Sequence, residues 1–125
     1  MRKLFVTATF LAGALTLGAQ DFQDRALFDR VRSDLDRASN YRYASRGDQK
    51  RFDEARRDLF DFESRFDRGR YDKHELDRAI DRVQNVVNHN SLDPRARGAL
   101  EDDLRRMRDF RSFRDHNRPY NGYRY

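Results

Sequence analysis

Phe52, Ala55, Leu59, Phe62 and Phe66 stand three, four, three and four residues apart. That spacing lines up one face of an α-helix, whereas a half-buried strand would alternate every second residue. The stripe predicts a helix from near Asp48 to near Arg68. Three other stretches repeat the period. Leu27, Phe28, Val31, Leu35 and Ala38 predict a helix from about Asp21 to Tyr41. Leu76, Ala79, Ile80, Val83, Val86 and Val87 predict one from about Lys73 to His89. Ala96, Ala99, Leu100, Leu104, Met107 and Phe110 predict one from about Pro94 to Phe113. No strand-like alternation runs long enough to compete. Each helix owns a single apolar face, and four such faces are satisfied only by packing on one another.

Helix punctuation agrees with these boundaries. Asp72 followed by Glu75 reads as a capping box, and Gly69 follows the second stripe where a left-handed residue closes a helix. Asp93-Pro94 pairs an N-cap with a proline at the first helical position, where the missing N–H costs nothing. The connections are short, about four to six residues, and short turns force sequential helices antiparallel. The expected fold is all-α: a small up-down antiparallel bundle of four helices, with a three-helix bundle and a detached first helix as the alternative.

Charge is the second constraint. Of the residues, 39% are charged, and the chain contains no cysteine, so the bundle is expected to hold by its core alone. Arginine and aspartate dominate. Pairs such as Arg25–Asp29, Arg30–Asp34, Asp53–Arg57, Asp61–Arg65, Glu101–Arg105 and Asp102–Arg106 are four apart. They are expected to form a solvated lattice worth about 0.2–0.5 kcal/mol per pair.

The N-terminus has a different character. Arg2 and Lys3 precede an uncharged run from Leu4 to Leu17, then Gly18 and Ala19, then Gln20 and Asp21. A cation, an apolar stretch too short to span a bilayer and small residues make a secretory signal peptide. Residues 1–19 are therefore expected to be removed near Ala19, leaving residues 20–113 as the bundle and 114–125 as a flexible basic, aromatic tail. The mature chain is expected in a periplasm or outside the cell, with no transmembrane segment of its own.

Catalytic signatures are missing. There is no thiol, no G-x-S-x-G elbow, no phosphate-binding glycine loop, no H-E-x-x-H and no Glu-x-x-His pair for a di-metal bundle site. The stripes read as offering no inward carboxylate. Neighbouring acids such as Asp102 and Asp103 point to different sides of a helix and cannot share a substrate proton. His74, Asp77 and Asp81 fall three and four apart and form a weak divalent-metal candidate, although Arg78 and Arg82 lie close enough to pair with those acids. No enzyme and no cofactor are expected.

The asymmetry of the chain lies at its C-terminal end. From Arg105 to Tyr125 the charge is +5, while residues 20–104 carry −2. Arg105, Arg108, Arg111, Arg114, Arg118 and Arg124, interleaved with Tyr120, Tyr123 and Tyr125, form a candidate partner-binding set. Arginines among aromatics suit phosphates, acidic glycans or an acidic protein. Export points to an anionic envelope polymer or protein and away from chromosomal DNA; self-association is left open. The leading expectation is a non-enzymatic exported bundle acting by contact. A stress-type chaperone that shields unfolded clients on a basic and apolar surface is the second, and a weak metal-binding protein the third.

Overall fold

A computed structural model of the chain describes residues 23–116. The signal-peptide reading and its cleavage near Ala19 lie outside them. Among the described residues the fold is all-helical with four helices: α1 over residues 23–39, α2 Arg46–Phe66, α3 Lys73–His89 and α4 Pro94–His116. Residues 114 to 116, expected in the tail, are part of α4.

The first helix is not detached. Phe28, Val31, Leu35 and Ala38 are all buried in one core with Phe52, Leu59 and Phe62 of α2, Leu76, Val83 and Val86 of α3, and Leu100, Leu104 and Met107 of α4. Side-chain contacts give the direction of each helix. Phe28, early in α1, meets Phe62, late in α2, at 4.9 Å between ring centroids and Phe110, late in α4, at 5.2 Å. Arg65 near the end of α2 pairs with Glu75 near the start of α3 at 3.0 Å. Asp77 near the start of α3 pairs with Arg111 near the end of α4. The helices thus run up and down around the core, with α1 closing the ring against α4.

The two ends of the bundle differ. One is aromatic: Phe28, Phe62, Phe66, Tyr71 and Phe110 pack mostly edge-to-face, with centroids 4.9–6.4 Å apart. Full burial of each such ring stabilises by about 1.5–3 kcal/mol. The other end is polar. Ser45 caps α2 by accepting from the Asp48 amide, and Asp48 returns the bond to the Ser45 amide. This capping box starts α2 at Arg46, two residues before the expected start. The buried Asn90 donates to the Asp48 carbonyl at 3.1 Å and accepts from Arg51 at 2.6 Å. Arg97 closes the same end by donating to the Val87 and Asn90 carbonyls.

Gly69 has φ +84, as its place after α2 predicts. Its amide reaches the Phe66 carbonyl and the Arg70 amide reaches Arg65, a Schellman closure. Asp72 caps α3 by accepting from the Glu75 amide, but the Glu75 carboxylate turns to Arg65 instead of completing a box.

The charge lattice departs from expectation. Of the six expected four-apart pairs only Asp102–Arg106 forms, at 2.9 Å. Most of the other arginines that do form ion pairs reach beyond their own helix. Arg32 holds Glu63 and Arg56 holds Asp36 between α1 and α2; Arg82 forks onto Glu54 and Asp58 between α3 and α2; Arg111 holds Asp77 between α4 and α3. A planar guanidinium with several donors bridges two carboxylates in a way that a point-charge ammonium does not.

Candidate functional site: basic faces of the bundle

The arginines singled out at the C-terminal end divide by what they touch. Arg111 is committed to Asp77 and, at 3.5 Å, to Asp115. Arg114 lies over the aromatic end, 4.9 Å from the Tyr71 ring centroid, 5.4 Å from Phe66 and 5.8 Å from Phe110. Stacking of this kind is worth about 0.5–1 kcal/mol at a surface site, so Arg114 caps the cluster. Arg105 pairs with Asp102 at 2.8 Å and Arg108 donates to Gln84 at 2.6 Å, both on exposed surface. Arg118, Tyr120, Tyr123, Arg124 and Tyr125 lie outside the described residues. Two of the four described arginines of this set are therefore built into the fold.

The metal candidate is also parted by its neighbours. Asp77 and Asp81 line a cleft of about 460 Å³ between α3 and α4, opposite Arg108 and Arg111. His74 is exposed in the first turn of α3. Among the described residues, no three His, Asp or Glu side chains gather closely enough to hold a metal ion.

One basic face lies outside the arginines that the sequence singles out. Arg46, Lys50, Arg57 and Arg68 are exposed on the outward side of α2 and its C-terminal turn. Arg46 and Arg57 are eleven residues apart, three helical turns, and so fall in one line along α2, with Arg68 in the turn that follows it. Among the described residues none of the four meets a carboxylate within ion-pair distance. Asp53, on the same side, is held by Arg56. Phe60 stands beside this line and is 62% exposed, and Tyr43, just before α2, is 66% exposed with Arg42 over its ring. Arg46 lies in the first turn of α2, where a cation opposes the helix dipole. Helix stability does not explain it. The sequence carries the signal, but four-apart spacing assigns Arg57 to Asp53, which Arg56 holds instead.

Inward carboxylates exist, contrary to expectation. Asp34, Asp48, Asp58, Glu75 and Asp103 are buried. Burial raises the Asp48 carboxyl, but bonds from the Ser45 and Ser91 amides, from Arg51 and from the Ser45 hydroxyl outweigh it and hold the group below its ordinary range. Asp103 is the opposite case. It stands three residues after Leu100 and four before Met107, in the middle of the α4 stripe, fully buried and with no N–H or hydroxyl donor on either carboxylate oxygen. Burial, followed by the neighbouring Asp34, pushes it up to about 8. Helical phase turns it inward, away from Glu101 and Asp102 beside it in the sequence.

No family model, no curated protein and no solved structure matches the chain. No helix among the described residues is long and apolar enough to cross a membrane.

Proposed function

We propose that the chain is an exported, non-enzymatic binding module that works by contact with an anionic polymer of the cell envelope or its surroundings, through the outward face of α2. Export rests on the charged, apolar and small segments of residues 1–19. The contact face rests on one observation: in a bundle whose acids are largely consumed in holding arginines, α2 and its C-terminal turn keep four cations without carboxylate partners among the described residues, beside two of the three large apolar side chains that are most exposed. Cations in a line suit a linear polyanion, and an exposed ring beside them adds stacking or apolar contact.

The test is retention of the mature protein on an immobilised polyanion such as heparin, eluted with a salt gradient. Replacing Arg46, Lys50 and Arg57 by Gln should lower the eluting salt markedly with helicity unchanged. Deleting 117–125 measures the tail separately, and the cut belongs after His116 because Arg114 caps the aromatic end. Unaltered elution of the triple variant overturns the α2 reading. If only the tail deletion releases the protein, the contact surface is the C-terminus.

A further inference from the structure

The helix-joining ion pairs among the described residues lie at three seams: α1–α2, α2–α3 and α3–α4. Those seams are also joined by short connections in the chain. The fourth, where the first helix meets the last, has no covalent connection of its own. It is flanked by two clefts of about 480 and 540 Å³. At its centre, Asp34 of α1 and Asp103 of α4 bring two carboxyl groups together in the interior.

From this geometry we infer that the α1–α4 seam is a proton-held clasp, closed while the Asp34–Asp103 pair carries a proton and released when the pair loses it. Two carboxylates that are nearly or fully buried cannot both be ionised at close range without a large penalty, so one proton belongs to the closed state. The surrounding charges do not remove the conflict. On α1, Arg30 approaches the pair, and Arg37 holds Asp34 at 3.3 Å from its rim side. On α4, Asp102 adds negative charge and is itself held by Arg105 and Arg106. The buried acids of α2 and α3 are engaged elsewhere: Asp48 with Arg51, Asp58 with Arg82, Glu75 with Arg65.

Release has a direction. Arg32–Glu63 and Arg56–Asp36 continue to tie α1 to α2, so α1 leaves α4 before it leaves α2. The seam that opens uncovers the apolar faces of Phe28, Val31 and Leu35 on one side and Met107 and Phe110 on the other. The sign follows from the raised Asp103 group. The unfolded carboxyl ionises near pH 4 and the folded one near 8, so the stability of the seam is fully present below about pH 4 and is lost as pH rises through 8.

The experiment is amide hydrogen exchange on the mature protein between pH 5 and pH 9, with rates corrected for intrinsic pH dependence. Protection at the α1–α4 seam should fall about tenfold or more over that range, while protection at the α2–α3 seam falls less. Asp103→Asn should abolish the difference. Glu63→Gln should leave it, which separates the clasp from the second raised group: burial pushes Glu63 up to about 7 against the pull of Arg32. Asp34→Asn breaks the pair from the other side and serves if Asp103→Asn fails to fold. Protection that is flat with pH, a drop equal in all four helices, or a drop that survives in the Asn variants overturns the clasp.

Discussion

The α2–α3 seam and the α1–α4 seam bury acids at similar depth and treat them in opposite ways. At α2–α3 every buried acid has a cation or amide to hold: Asp48 takes Arg51 and two backbone amides, Asp58 takes Arg82, and Glu75 takes Arg65. At α1–α4 the buried acid Asp103 faces another acid, Asp34. At Asp48 those partners outweigh burial and favour the charged form. Asp103, without such partners, is a store of electrostatic tension relieved by a proton. The same side chain therefore gives the two seams opposite responses to pH.

The largest effect should come from a side chain that reaches both seams. Phe62 touches Phe28 of α1 and Phe110 of α4 from within α2, so Phe62→Ala removes packing on both sides. A loss of about 3–5 kcal/mol is expected in urea unfolding, with the pH response of what remains blurred because the seams no longer act separately.

A smaller effect isolates the acid side. The Asp48 carboxyl is held below its ordinary range, so its stabilisation is full above about pH 4, the unfolded value, and is lost as pH falls from there through the lower folded value. Asp48→Asn should cost about 1–2 kcal/mol near neutrality through the lost capping box and Arg51 bond, and should flatten the fall of melting temperature below pH 4. An undiminished acid fall in the variant would place the acid sensitivity elsewhere, and the contrast between the seams would fail on that side.

The smallest effect is a gain. Gly98 lies early in α4, and a Cβ built there meets nothing within 4 Å. Gly98→Ala should raise stability by about 0.5–1 kcal/mol by lowering the entropy of the unfolded chain. Since it stiffens α4 without touching Asp103, the midpoint of the pH response at the α1–α4 seam should stay where it is. Calorimetry at pH 5 and pH 9 checks both statements.

Much of the fold was legible without coordinates. The stripe beginning at Phe52, the glycine at 69, the cap at Asp72 and the proline at 94 depend on contacts within a few residues, and local spacing reports them directly. Ser45 and Asp48 are equally readable as a capping box, one that starts the helix two residues before the apolar stripe suggests. The candidate site was less legible. Arg111 and Arg114 were grouped with the tail by sequence proximity, whereas one straps α4 to α3 and the other covers three rings.

By itself the sequence determined four amphipathic helices, their caps and their antiparallel order, because hydrogen bonding and side-chain phase along a helix repeat within four residues. Tertiary structure decided which arginine meets which acid, since Arg32 and Glu63 are 31 residues apart, Arg82 and Asp58 24, and Arg111 and Asp77 34. It also decided that Asp103 meets Asp34 with no cation bonded to it. Charge is a property of one residue, but what a charge costs or contributes depends on what the fold sets opposite it.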